Sequence, residues 1–349
     1  MSQPLVSICI PTYNGARYLE ECLESAIGQT HRNLEVLAVD DGSSDDTLSI
    51  LQRYAQRDRR VRLVQNPSRL GLVGNWNRCV EIASGDWLKF LFQDDVLHPT
   101  CVERMLAASQ TSDQLMVVCR RNIIFDDVSE TTRKFYALYQ TEESLEAVFA
   151  SKVRVSPRSF SNAVLEHIRH NFIGEPTSVL LHRSAFERFG RFNPDLISKC
   201  DLEFWIRVGV SAGLVQVPEA LANFRVHSRS ASADIKSAQE YRLRVLDSLI
   251  MLHEFAFHAA FAPLRAAAAE RQPPINLRRM FARSAVSARR KALKWDREFG
   301  VQDPLYEWRE VADRYPRVKW SWPVFTVQLG RMPRRIVKLL DRRSSFSSP

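Results

Sequence analysis

Two hydrophobic rhythms alternate through the first hundred residues. Val6-Ser7-Ile8-Cys9-Ile10 is short and almost wholly apolar, which predicts a buried strand, and Pro11-Thr12-Tyr13-Asn14-Gly15 predicts the loop after it. Tyr18, Leu19, Cys22, Leu23, Ala26 and Ile27 then recur at helical spacing. Leu34 to Val39 reads as a second strand ending in Asp40-Asp41-Gly42-Ser43-Ser44, after which Asp45 or Asp46 caps a helix bearing Leu48, Leu51 and Tyr54. Val61 to Val64 predicts a third strand and Gly74 to Ala83 a helix. Trp87 to Phe92 predicts a fourth strand, which runs into Gln93-Asp94-Asp95. This order predicts an α/β fold, a mainly parallel sheet flanked by helices.

The pattern is mixed from about 115 to 230, with a loop-rich stretch from Lys152 to Asn162 and a helix from Asp201 to Val210 that carries Phe204, Trp205 and Val208. After Ser230 it turns helical and alanine-rich. Residues 1–235 are therefore expected to form one α/β domain, and residues 236–349 a helical, basic C-terminal region.

Charge sharpens that division. The net charge is +9, yet residues 1–263 carry −3 and residues 264–349 carry +12. Arg278, Arg279, Arg283, Arg289, Arg290, Lys291 and Lys294 crowd one helical region, and further on Arg331, Arg334, Arg335 and Lys338 interleave with Trp320, Trp322, Phe325, Leu329, Ile336 and Leu339. Basic helices with apolar partners suit an anionic membrane surface. A solvated appendage is the plainer reading, and no nucleic-acid motif is present. At 45% hydrophobic and 26% charged residues, the composition is that of a globular protein. No run reaches the roughly eighteen apolar residues of a membrane span, and no secretory signal pattern opens the chain. The expectation is a cytoplasmic protein, peripheral at the inner face of the plasma membrane. The six cysteines lack the short paired spacings of zinc sites and read as reduced core residues.

Candidate chemistry gathers in the loops that follow predicted strands: Thr12-Tyr13 after the first, Asp40-Asp41 after the second, Asp94-Asp95 after the fourth. Ligands of open α/β sheets bind outside the carboxyl ends of the strands. An aromatic ring there can stack on a base, a carboxylate can accept from base or ribose, and paired carboxylates suit a hard cation against a diphosphate. Each piece alone has a bland reading: Asp-Asp-Gly-Ser-Ser is by default a turn and helix cap.

In combination the segments resemble a known family. The run Val6 to Asn14, then Glu35 to Thr47, Gly71-Leu-Val-Gly-Asn-Trp-Asn-Arg78 and Gly85-Asp-Trp-Leu-Lys-Phe-Leu-Phe-Gln-Asp-Asp95 resemble the nucleotide-binding half of the family 2 glycosyltransferases of GT-A fold, and the similarity runs from about residue 5 to 230. The resemblance implies a catalytic domain over residues 1–235 and an inverting reaction that moves a sugar from a UDP-, GDP- or dTDP-sugar donor to a glycan or lipid-linked acceptor. Synthesis of a bacterial surface polysaccharide would be its setting. It implies a divalent cofactor, Mn²⁺ or Mg²⁺. It places Pro11, Thr12, Tyr13, Asn14, Asp41, Gly71, Asn75, Asp94 and Glu175 at the donor, with Asp41 on the base, Asp94 on ribose or sugar and Glu175 in the segment that cradles donor sugar and acceptor. Asp95 and His227 would hold the metal. Gln93 stands at the first position of the metal motif, a departure from the family. Asp201 matches the catalytic base, Cys200 replaces the Glu before it, and Glu203 is the fallback. Two other readings stay open: a non-catalytic sugar-nucleotide or carbohydrate-binding module on the same fold, and a nucleotidyltransferase, which would release pyrophosphate.

Overall fold

Seven consecutive buried residues form strand β1, Val6–Thr12. Side chains on both of its faces are covered, as in a central parallel strand. It pairs in parallel with β2 (Leu34–Asp40), from Val6 opposite Leu34 to Thr12 opposite Asp40, and on its other side with β4 (Trp87–Phe90). Outside β2 lies β3 (Val61–Gln65), also parallel. The connecting helices α1 (Ala16–Ile27), α2 (Thr47–Arg57) and α3 (Gly71–Ile82) each bury one stripe: Leu19, Cys22, Leu23 and Ala26 on α1, Ile50, Leu51 and Tyr54 on α2, Val73, Trp76, Cys79 and Val80 on α3. Because β2 and β4 flank β1, the strand order reverses there, and a crevice is expected at the carboxyl ends of these strands.

The sheet continues in the order β3-β2-β1-β4-β8-β6-β9-β5, with β7 also pairing β9. Here β5 is Val96–Leu97, β6 Met116–Asp126, β7 Arg154–Val155, β8 Val179–His182 and β9 Leu214–His227. The short β8 runs antiparallel to β4 and β6, whereas the long β6 and β9 run parallel and end with Asp126 opposite His227. The long ladders are thus parallel, and the antiparallel ones span two or three residue pairs. Helices α4 (Cys101–Ser109), α5 (Glu130–Glu142), α6 (Leu145–Phe149), α7 (Pro157–Glu166), α8 (Arg183–Phe189) and α9 (Cys200–Ala212) complete this part. The core runs through Ile8, Ile10, Leu23, Val36, Leu51, Val102, Met105, Leu180 and Val215.

This computed structural model describes residues 3–109, 114–142, 144–150, 153–168, 170–228, 241–299 and 304–319. The chain divides into two compact units, one of Met1–Ile235 with Ala259–Glu270, the other of Lys236–His258 with Arg271–Pro349. Two sequence expectations change. The stretch near Lys152–Asn162, read as loop, contains most of α7: Ser156 caps it by accepting from the Ser159 N–H at 3.2 Å, and Pro157 takes the first turn, where no N–H is needed. Helix α11 (Ala262–Glu270), expected in the C-terminal region, instead belongs to the first unit, where it packs on α7.

The described residues of the second unit include one π-helical turn at Tyr241–Leu246, then α10 (Asp247–Phe257), α12 (Leu277–Phe299) and α13 (Pro304–Arg314). The His253 ring meets Phe257, Phe281 and Tyr315 at 4.8–5.4 Å, and the Tyr241 hydroxyl donates to the Ala288 carbonyl at 3.0 Å. No single helix among the described residues is long and apolar enough to cross a membrane. The aromatic and basic residues expected from Trp320 onward, Trp322, Phe325, Leu329, Arg331, Arg334, Arg335, Ile336, Lys338 and Leu339 included, lie outside the described residues.

Candidate functional site

The loops after β1, β2 and β4 meet at the predicted crevice and are tied by their own polar side chains. Asn14 takes a left-handed conformation (φ 48°) that Asn tolerates, and its Oδ1 accepts from the Ser44 N–H at 2.8 Å. Asp40 accepts from the N–H groups of Gly42 and Ser43 at 3.2 and 3.1 Å and from the Thr12 hydroxyl. The Gln93 amide clasps the Tyr13 backbone, accepting from its N–H at 2.9 Å and donating to its carbonyl at 3.1 Å. The position that departs from the family's metal motif therefore joins the first loop to the third.

The expected donor residues separate by exposure. Tyr13 is 37% exposed, and the Arg69 guanidinium lies 4.0 Å from its ring centre. Pro11 and Thr12 are buried within β1. Asn75 is buried, donating to the Val39 carbonyl at 3.0 Å and accepting from Asn66 at 2.9 Å. Asp41 is also buried, and its oxygens accept from Asn66 Nδ2, Leu70 N–H and Gly71 N–H at 2.8–2.9 Å. Gly71 meets that bond at φ 74°, a conformation open to glycine. In this arrangement Asp41 and Asn75 shape the loops from within, and Tyr13 and Asn14 face outward.

The paired carboxylates have opposite surroundings. Asp95 is fully buried; one oxygen accepts from the Thr177 hydroxyl, the other from the Arg225 N–H at 2.9 Å. Burial, and next to it the Asp94 charge, push its carboxyl well above the ordinary range. Asp94 is the partly exposed member, and its Oδ2 stands 3.0 Å from His227 Nε2. So Asp94, rather than Asp95, meets His227, because the turn after β4 points the first carboxylate out and the second in.

Around this pair lies a cluster that sequence reasoning missed. Tyr18 packs against His227 at 4.9 Å between ring centres, with the guanidinium groups of Arg17 and Arg225 at 4.9 and 4.7 Å from its ring. Its hydroxyl donates to Asp126 at 2.6 Å, and burial with that contact pushes its pKa up to about 12. Arg17, half exposed, also reaches Asp126 at 3.1 Å, while Arg225 is buried and donates to the Asp94 carbonyl at 2.8 Å. Arg17-Tyr18 follows the first loop in sequence, which was a signal; Asp126 had none, since it joins the site only because β6 lies beside β9.

The far side of the site is the 3₁₀ turn Pro176–Ser178, with Glu175 just before it. Glu175 pairs with Arg121, and Thr177 is pinned twice: its hydroxyl to Asp95, its carbonyl to the wholly buried Lys89. Asp201 lies in the first turn of α9 without capping it; its Oδ1 accepts from the neighbouring Leu202 N–H at 2.7 Å. Burial chiefly, with a smaller push from Glu175, raises its pKa to about 7, against the pull of the Leu202 N–H and Lys199. The fallback Glu203 is buried and held by Arg207 at 2.6 and 3.0 Å, and Arg207 also grips the Arg191 carbonyl at 3.0 Å. Cys200 is buried, its thiol on the Ile197 carbonyl at 3.4 Å.

One side-chain oxygen of Asp94 and one imidazole nitrogen of His227 converge as possible donors to a cation, and among the described residues no cluster of three His, Cys, Asp or Glu does. Such a set fits a divalent ion that takes its remaining ligands from substrate phosphates and water. A hollow lined by Arg32, Glu35, Asp58, Arg59, Arg60 and Arg62 lies at the opposite, amino ends of β2 and β3, where Arg60 pairs with Asp58 and Arg62 with Glu35.

Comparisons with known proteins agree with this fold. The profile described as "Glycosyl transferase family 2" matches residues 7–189. An uncharacterized protein of Mycobacterium tuberculosis is 30% identical over 249 residues, 70% of this chain and 74% of the relative. Among solved structures, Staphylococcus aureus TarS residues 1–349 in complex with UDP-GlcNAc superposes with a TM-score of 0.56 at 16% identity, covering 89% of this chain and 91% of that one. The mannosyltransferase PcManGT from Pyrobaculum calidifontis, in complex with GDP-Man and Mn²⁺, gives 0.53 at 20% identity over 92% and 84%.

Proposed function

Because the chain belongs to glycosyl transferase family 2 and has the GT-A fold, we propose that it moves a sugar from a nucleoside-diphosphate donor to an acceptor hydroxyl, inverting the anomeric centre. The observation that carries the inverting reading is Asp201. A carboxyl with a pKa of about 7 can take a proton near neutrality, and no other carboxylate in its helix is available to do so. As the acceptor oxygen bonds to the anomeric carbon, the bond from that carbon to the diphosphate oxygen breaks. The acceptor's proton passes to Asp201, and the nucleoside diphosphate departs with the electron pair. The passing state has oxocarbenium character, and no covalent enzyme intermediate is needed.

The site's remaining residues fit a donor. Tyr13 offers an exposed ring for stacking on the base, with the Arg69 guanidinium lying over that ring at 4.0 Å. Asp94 and His227 would hold a Mn²⁺ or Mg²⁺ ion, which when bound offsets charge on the leaving diphosphate. Arg17 is exposed beside this pair and can turn toward the same phosphates, since an exposed ion pair such as Arg17–Asp126 contributes only about 0–1 kcal/mol. Structures of the same fold hold UDP-GlcNAc and GDP-Man, which supports a nucleotide sugar as donor. Residues 1–235 would form the catalytic domain, acting on a glycan or lipid-linked acceptor in polysaccharide synthesis.

The experiment is donor hydrolysis without acceptor, run against UDP-, GDP- and dTDP-sugars with Mn²⁺. Release of nucleoside diphosphate from one donor, lost on chelation, is expected. Donor binding without release under any condition would favour a sugar-nucleotide-binding module instead, and release of pyrophosphate a nucleotidyltransferase.

A further inference from the structure

The longest helix among the described residues, α12, presents an exposed cationic face. From Leu277 to Lys294 it carries seven Arg or Lys residues and no Asp or Glu. Its apolar stripe of Leu277, Phe281, Ala285, Ala288 and Ala292 is buried. The opposite stripe holds Arg279, Arg283, Arg290 and Lys294, four or seven residues apart, which places them within about 60° of one another around a helix of 3.6 residues per turn and along some 22 Å of its axis. All four are exposed. Among the described residues no carboxylate lies within ion-pair distance of Arg279, Arg283 or Arg290. Two further cations on the helix are occupied otherwise: Arg278 lies 5.7 Å from the Phe257 ring centre and Arg289 5.7 Å from that of Trp308.

A row of like charges on a rigid helix repels itself and gains nothing for folding, since like charges one turn apart destabilise a helix. The row has a use where a partner supplies the opposite sign. The geometry points to an anionic phospholipid bilayer, and we propose that the Arg279–Arg283–Arg290–Lys294 face of α12 docks this protein on one. A bilayer is a continuous negative plane, so a straight row of cations needs no partner of matched shape. Duplex nucleic acid fits less well: its phosphates wind in two helical rows around a cylinder, whereas these four cations lie in one straight row on an exposed face. The helix's apolar stripe is already buried, so the attachment is electrostatic, without insertion, and salt weakens it. This inference does not depend on the catalytic reading.

The test is cosedimentation of the full chain with vesicles of phosphatidylcholine alone and with added phosphatidylglycerol, at low and raised salt. Binding is expected only to the anionic vesicles. The triple variant Arg279→Gln, Arg283→Gln, Arg290→Gln keeps good helix formers in place. Each cation near such a surface contributes roughly fivefold, so binding is expected to fall about a hundredfold. A triple Arg→Lys variant should bind as the parent does. Thermal melts of all three proteins check that the unit stays folded. Equal binding to neutral vesicles, undiminished binding by the folded Gln variant, or tighter capture by a DNA duplex than by anionic vesicles would each overturn the proposal.

Discussion

Asp94 and Asp95 are chain neighbours with opposite surroundings, and the difference predicts opposite phenotypes. Asp95 satisfies the Thr177 hydroxyl and the Arg225 N–H in the core, so Asp95→Ala leaves buried donors unpaired, each at about 1–3 kcal/mol. Chemical denaturation should show that loss. Asp94→Asn should leave stability near the parent value and weaken Mn²⁺ binding in the presence of nucleoside diphosphate, read by calorimetry. A stable Asp95→Ala protein that has lost the cation would reverse the assignment. Asp201→Asn removes the proposed base while keeping its size. Turnover should fall by about 10²-fold or more with donor affinity unchanged. The sign of the pH effect follows from its raised pKa: the carboxylate is the active form, so kcat declines as pH falls through about 7. A parent enzyme whose kcat is flat from pH 8 to pH 5 would remove Asp201 from that role.

Between elements, α7 packs against α9, the helix that carries Asp201. Gly209 faces Phe160 so closely that an added Cβ would sit 2.4–2.8 Å from three ring atoms, and that ring is itself fully buried. Gly209→Ala should therefore force the helices apart at a cost of about 1–3 kcal/mol, although alanine is the better helix former. Thermal denaturation should show a lower Tm, and an unchanged or raised Tm would mean the ring moves aside freely. The same scale explains the role of Lys89. A lysine on a central strand is costly to bury, yet here its ammonium holds the carbonyls of Thr177 and Val179 and so fixes the turn after Glu175.

For the whole molecule, the proposed donor site implies a thermodynamic response that needs no acceptor. Nucleoside diphosphate with Mn²⁺ at a hundred times its Kd should stabilise the fold by about 2.7 kcal/mol, and nucleoside alone by less at equal concentration. Thermal-shift measurement with and without chelator reads both effects. No shift with any of the uridine, guanosine or thymidine diphosphates would argue against a nucleotide site at this crevice.

The amino-acid sequence by itself determined the first half of the sheet and the place of the chemistry. Short-range periodicity is enough to mark β1, α1, β2 and α2, and a parallel order leaves ligand residues only at the strand ends. It also marked Tyr13, Asp94, His227 and Asp201 as the residues to examine, through motif order. The tertiary structure alone decided which of two adjacent carboxylates faces out, because a turn of a few residues reverses side-chain direction without leaving a periodic trace. Asp126 stands by Tyr18 and Arg17 through the pairing of two strands about a hundred residues apart, a contact no local pattern encodes. Asp201's raised pKa is likewise a property of the fold: it comes from burial and from Glu175, and neither exists until the chain has closed around the carboxyl.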